Sequence, residues 1–418
     1  MPEQPVDVSD LRTRIREIVD RQPILDIHTH LYDIPFGELL LWGIDELLTY
    51  HYLVAEVFRA QPMDYDQFWS LPRQAQADRV WRVLFLERSP VSEACRGVLT
   101  TLEQLGLDTS SRDLNTCRDF FKSTTAQEHV NRVFKTANLH SVVMTNDPFD
   151  DLERPVWDKG VQLDPRFRAA LRLDPLLLAW EKSFETLKGW GYSAGRDFDA
   201  TSRKEVRRFL EKWIAAMKPA YMAVSLTPDF RFPDDSITSS MLEECIFPVA
   251  REHRLPFAMM IGVKRQVNPK LKLAGDSVGR ADVSSVERIC AGFPRNKFLV
   301  TFLSRENQHE LCVTARKFPN LMVFGCWWFM NNPSLIEEIT RERLELLGLS
   351  MIPQHSDARV LDQVIYKWRH SRTLIADILA DKYEDLARTG WRIDASAIER
   401  DVRLLFGENF ERFLRWNP

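Results

Sequence analysis

No two of the six cysteines, at positions 95, 117, 245, 290, 312 and 326, form a CxxC pair. Neither a thiolate metal cluster nor a disulfide scaffold is therefore expected, and the thiols read as reduced and buried. No apolar run approaches the roughly 18 residues that a membrane span needs, and the charged N-terminal stretch MPEQPVDVSDLRTRIREIVDRQP carries no apolar signal core. A cytoplasmic protein with no membrane partner is expected. No Lys/Arg block stands out against a formal net charge of -4, so nothing suggests a phosphate-tracking surface or a nucleic-acid partner. Low-complexity segments and sequence repeats are missing as well. The glycines of GDSVGRADV (275–283) lack the strand-to-helix placement of a phosphate loop, which excludes a nucleotide site there.

What is present is a globular composition, 44% hydrophobic and 28% charged, with 12 tryptophans and 25 phenylalanines for a large aromatic core. A length of 418 residues exceeds what one compact core usually supports, except in a (β/α)8 barrel with insertions. Eight short apolar runs support that exception: PILDIHTHL (23–31), HSVVMTND (140–147), FRAALRLD (167–174), AYMAVSLTP (220–228), PFAMMIGV (256–263), KFLVTFLS (297–304), LMVFGCWWF (321–329) and LSMIPQHSD (349–357). Amphipathic stretches alternate with them, among them TSRKEVRRFLEKWIAAM, SVERICAGF, SRENQHELCVTARKF and NPSLIEEITRERLELLG. Right-handed crossovers would let the eighth strand close on the first, giving an α/β (β/α)8 TIM-type barrel from 1–31 and 138–418. The long gap after the first run reads as a helical insertion, 32–137, at the barrel mouth.

In a strand, residues i and i+2 share a face, so His28 and His30 project together from the end of the first run, with Asp26 one step deeper as a supporting hydrogen-bond partner. Two imidazoles on one face suit a divalent transition metal. Asp357, at the end of the eighth run, would arrive beside them once the barrel closes, leaving coordination positions open for substrate oxygens. Asp147, Asp150 and Asp151 read as a loop-ordering cluster, and His129, His140, His253 and His309 as structural histidines.

At these residues the chain resembles the amidohydrolase superfamily and, within it, the uronate (glucuronate) isomerase family. The resemblance is carried by HTHL at 28–31, TNDPFDDL at 145–152, LRLDP at 171–175, CWWF at 326–329, SDARVL at 356–361 and YKWRH at 366–370. It implies an aldose–ketose isomerase acting on a hexuronate such as D-glucuronate/D-fructuronate or a related acidic sugar. His28, His30 and Asp357 would hold one divalent metal ion, zinc first, with manganese, iron or cobalt also suited. Arg172 and Arg359 would anchor the sugar carboxylate, with Trp327, Trp328 and Arg369 as further substrate contacts and Arg369 and His370 as pocket or supporting groups. His51 and Tyr52 match a His-Tyr pair of the family's insertion, where a tyrosine whose pKa is lowered by a nearby cation would move the proton, sharing acid–base work with Asp357.

Three departures accompany the resemblance. Leu53, Val54 and Ala55 stand where the family has Lys-Trp-Arg, Met260 stands where it has a histidine, and His355 is extra. The missing histidine, with none in the sixth run either, favours one metal over two. A mononuclear hydrolase or lactonase of the same superfamily is the alternative expectation, and a non-catalytic sugar-acid binding protein the second. A homo-oligomer is compatible with either.

Overall fold

The computed structural model describes residues 10–416 and 418; residues 1–9 of the expected barrel segment lie outside the described residues. Seven strands form one parallel sheet: β1 (Ile24–Thr29), β2 (Leu139–Asn146), β3 (Phe167–Arg172), β4 (Met222–Leu226), β5 (Phe257–Ile261), β8 (Phe298–Phe302) and β9 (Leu321–Val323), in that spatial order. Between β5 and β8, the two-residue strands β6 (Val263–Lys264) and β7 (Ser277–Val278) pair antiparallel as a separate hairpin. GDSVGRADV runs through that hairpin's second strand.

Helices follow the strands because the sequence starts and stops them locally. Asp199 caps Ala200–Met217 by accepting from Ser202 N, Asn332 caps Pro333–Leu347 through Leu335 N, and Thr125 with Glu128 forms a capping box on Ala126–Thr136. Their apolar faces and the outer sheet residues make the main core, while Leu25, Ile27, Val143, Ala223, Ala258 and Leu299 fill the inside of the curl with Phe410 and Phe413 from the last helix. No described helix is long and apolar enough to cross a membrane.

The eighth run does not become a ladder strand. Ile352 N donates to Val323 O (3.0 Å) and Gly325 N donates to Ile352 O (2.8 Å) on the β9 side, while Asp357 N donates to His28 O (3.1 Å) and His30 N donates to Ala358 O (2.7 Å) on the β1 side. Regular pairing fails for three reasons. Pro353 has no N–H, Ser356 N is taken by the Asp26 carboxylate, and Asp357 adopts a left-handed φ of 51°.

Between β1 and β2, residues from Ile44 to Phe121 bury a second core of their own, which Val360 joins from the far side of the chain. Helix Ala126–Thr136 instead packs Val130, Val133 and Phe134 into the main core, so the separate packing unit ends before that helix.

Candidate active site

His28 and His30 lie where β1 ends, and their Nε2 atoms stand 3.5 and 3.3 Å from Asp357 Oδ1. These three donor atoms fall within 4.8 Å of one another. The other nitrogen of each ring fixes its tautomer. Thr145 Oγ1 donates its single proton to Thr29 O (2.9 Å), so at 2.8 Å it accepts from His30 Nδ1–H. Tyr221 OH likewise donates to Ile27 O (2.8 Å) and accepts from His28 Nδ1–H at 3.1 Å. Both Nε2 atoms are left with lone pairs aimed at a carboxylate oxygen. Burial, with Arg359 nearby, holds His30 well below the usual histidine range, so its ring is neutral.

Three electron-rich atoms converging in a buried place repel one another unless a cation sits between them. His28 Nε2 and Asp357 Oδ1 have no hydrogen-bond partner. Donor set, tautomers and unpartnered atoms therefore fit a divalent cation of the kind that two imidazoles and one carboxylate select.

Asp26 meets His28 through that residue's backbone, with no hydrogen bond to either imidazole ring. Its Oδ1 accepts from Ser356 N (3.0 Å) and its Oδ2 from Trp368 Nε1 (2.8 Å), so it braces the segment that carries Asp357. His355 is fully buried with both ring nitrogens unpartnered and its centroid 5.0 Å from that of His28; burial, then His28, keeps it well below the ordinary histidine range. It fits only because residue 325 is glycine, with a φ of 64°, whose Cβ would lie 1.8 Å from His355 Cδ2.

Beside the three donors opens a cavity of about 460 Å3, walled by His30, Thr145, Asp147, Arg172 and Arg359 from the sheet side and by Tyr50, His51, Val54, Trp69 and Arg73 from the insertion. Leu271 to Ala274, from the loop between β6 and β7, close its outer edge. Arg172 is half engaged, donating to Asp174 at 2.8 Å, whereas the guanidinium of Arg359 has no hydrogen-bond or ion-pair partner among the described residues. Burial, opposed by Arg172, pushes the Asp147 carboxyl up to about 6. Burial raises Glu153 to about 7, although it accepts from Tyr32 OH, Trp157 Nε1 and Asp147 N.

Several expected site residues sit elsewhere. Trp327 and Trp328 do not line the cavity; at 3% and 6% exposure they belong to an aromatic cluster, with the Trp328 ring 5.8 Å from His51. Tyr52 packs one ring behind the wall, 4.7 Å from His51, and burial with Tyr50 beside it lifts its hydroxyl well above the ordinary tyrosine value, the reverse of the expected lowering. Arg369 is exposed on helix Gln363–Arg388 and does not join the site. His370 instead bonds Glu93 (2.6 Å) and Thr100 (2.9 Å), docking the insertion on that helix. His129 pairs with Asp362 at 2.6 Å in the same seam and His253 with Glu211 at 2.7 Å, as structural histidines do.

Sequence reasoning missed Thr145, Tyr221, Tyr50 and Lys367. Thr145 and Lys367 lie inside the quoted motifs TNDPFDDL and YKWRH, where charge drew attention to their neighbours. Lys367 is buried and its Nζ donates to Ser356 O at 2.6 Å; burial brings its ammonium down to about 8.

No family model matches the chain, and no curated protein sequence does. Among solved structures, it is similar to a uronate isomerase from Thermotoga maritima (16% identity, 99% of this chain and 98% of that one, TM-score 0.75) and to a glucuronate isomerase from Caulobacter crescentus (15%, 98% and 95%, TM-score 0.76). At such identities these two show a shared fold. A uronate isomerase from Bacillus halodurans C-125 shares 54% of its residues with the chain over 99% of this chain and 98% of that one, with a TM-score of 0.97. By that likeness over nearly the whole length of both, the chain belongs to the uronate isomerase family.

Proposed function

We propose that the protein interconverts an aldohexuronate and its 2-ketose, with D-glucuronate and D-fructuronate as the expected pair, on one divalent cation held by His28, His30 and Asp357. The observation that carries this reading is the convergence of three donor atoms, two of them buried without a hydrogen-bond partner, beside a cavity that holds an unpaired guanidinium, Arg359. The scaffold is a (β/α)8 barrel in which the eighth segment completes the ring, with the helical insertion forming one wall of the mouth. Zinc is the first candidate for the cation; manganese, iron and cobalt suit two nitrogens and one oxygen as well.

When bound, the cation supplies a Lewis-acid centre for substrate oxygens. The chain does the rest. Arg359 takes the sugar carboxylate through its free fork, and Arg172, tethered by Asp174, orients it. Turning an aldose into a ketose moves one proton from C2 to C1 and one from the C2 hydroxyl to the C1 oxygen. His51 is suited to accept a proton, because burial and Arg359 keep its ring neutral and Nε2 has no partner. His51 would return that proton to the C1 oxygen, with Tyr52 packed behind it as a neutral phenol, and Asp357 would carry the carbon-bound proton from C2 to C1. Trp328 positions the His51 ring from outside the cavity.

Metal content and hexuronate–ketose interconversion, measured on the native protein, His30→Ala and Asp357→Ala, test the assignment. Both variants are expected to lose metal and turnover. Release of two fragments or opening of a lactone, with no interconversion, would establish the hydrolase alternative instead.

A further inference from the structure

Ser356, the residue before Asp357, is gripped from every side. Its N–H donates to Asp26 Oδ1 (3.0 Å), its Oγ accepts from Ala358 N (3.2 Å), and its carbonyl accepts from both Lys367 Nζ (2.6 Å) and Asn331 Nδ2 (3.0 Å). Asp26 is itself anchored by Trp368 Nε1 at 2.8 Å, so two consecutive residues of helix Gln363–Arg388 hold Ser356 at both of its flanking peptides, Lys367 directly at the carbonyl and Trp368 through Asp26 at the N–H. Next along the chain, Asp357 adopts a left-handed backbone, which costs an L-residue about 1–2 kcal/mol and persists only where the surroundings impose it.

Lys367 itself lacks an obvious reason to be charged and buried. It is 3% exposed and has no carboxylate within ion-pair distance among the described residues; Asp357 and Asp26 act on it only from beyond that distance, and its ammonium lies 5.9 Å from the Tyr50 ring. Burying an ammonium is costly without a strong acceptor, and the one acceptor it finds among the described residues is the Ser356 carbonyl.

We propose that Lys367 is a positioning residue: by fixing the Ser356 carbonyl it holds the Asp357 peptide in its left-handed turn, and so points the carboxylate at His28 Nε2 and His30 Nε2. The inference rests on the reading of Asp357 as a metal ligand. Lys367 acts through the backbone and touches neither substrate nor cation. Charge-assisted donation gives a shorter, stronger bond than Asn331 supplies alone, which suits a position where a shift of the carboxylate disrupts the donor set.

Lys367→Met removes the donor at nearly constant shape, and Lys367→Gln keeps an N–H donor without the charge. For each, cation affinity is read by chelator competition, coordination geometry by the visible spectrum of the Co(II)-loaded protein, and turnover as kcat and KM. Lys367→Met is expected to bind the cation about 10–100-fold more weakly, with an altered Co(II) spectrum and a fall in kcat at little-changed KM; Lys367→Gln recovers affinity and spectrum in part. Wild-type affinity, spectrum and kcat in Lys367→Met would overturn the proposal, and so would lost turnover with an unchanged spectrum. If Lys367→Met does not fold, Lys367→Gln decides alone: a cation affinity below wild type but above that of Asp357→Asn, with a shifted Co(II) spectrum, supports the donor role, and wild-type affinity with a wild-type spectrum overturns it. Asp357→Asn also separates the two readings, since full metal retention in that variant removes the site assignment itself rather than the role of Lys367.

Discussion

Replacing Thr145 by valine tests the tautomer lock on His30. The substitution keeps a β-branched side chain in β2, so the strand is not disturbed, and it deletes one hydroxyl that is 3% exposed and makes two hydrogen bonds. Two buried groups lose their partner, the Nδ1–H of His30 and the carbonyl of Thr29. Each unsatisfied group costs about 1–3 kcal/mol, shared between fold stability and ligand orientation. The ring is then free to turn or to move its proton to Nε2, which withdraws a lone pair from the donor set. Losing such a supporting contact typically weakens metal affinity about 10–100-fold, about 1.4–2.8 kcal/mol at about 1.4 kcal/mol per tenfold. Chelator competition with Zn(II) on Thr145→Val and Thr145→Ser measures it directly: the serine variant, which keeps the hydroxyl, should stay near the native affinity while the valine variant drops. Equal affinities for all three proteins would show that Thr145 does not set the tautomer, and the argument for a lone pair at His30 Nε2 would fail with it.

Other perturbations read other parts of the site. Arg359→Met should raise KM for a hexuronate and lower kcat/KM by roughly 10–100-fold, the loss of a charge-assisted hydrogen bond worth about 1.5–3 kcal/mol; unchanged KM in steady-state kinetics would move carboxylate binding elsewhere. Gly325→Ala places a methyl against His355 at a φ of 64°, costing at least about 1–2 kcal/mol for the backbone alone, and a calorimetric melt unchanged from wild type would contradict the packing. His51 and His355 have folded pKa values depressed below the ordinary value of about 6.5. Their contribution to stability is therefore complete above that pH and is lost as pH falls through the folded values. Denaturant midpoints of metal-free protein should decline from pH 7 towards pH 5, less steeply in His51→Gln; a rise over that window would refute the sign.

Much of this was legible in the chain itself. Seven of the eight apolar runs are strands, and the HTH pair with a distant aspartate was enough to locate the three donors. The eighth run misled because an apolar, strand-length pattern says nothing of Pro353, of a side chain that captures Ser356 N, or of a left-handed Asp357. Trp327 and Trp328 misled for a different reason: motif matching places a residue near a site but does not say which way its ring turns, and here both pack inward. Arg369 stood out by its charge, yet on a helix the neighbouring Lys367 and Trp368 take the buried face and leave it outside. Thr145 and Tyr221 carry no charge and ligate nothing, so composition alone gives no signal for them. Only the direction of their single hydroxyl proton reveals what they do.

The seam between the eighth segment and β1 joins chain positions 330 residues apart, as the Ser356–Asp26 bond shows. A cation shared by His28, His30 and Asp357 would act there as a removable cross-link, tying β1 to the segment that carries Asp357. An ion that binds the native arrangement of these donors and not the denatured chain stabilises the native state by mass action, so the ion that would serve the chemistry would also hold this seam closed. Stripping the metal should then loosen the fold at this one seam, beside the cavity, rather than soften it evenly.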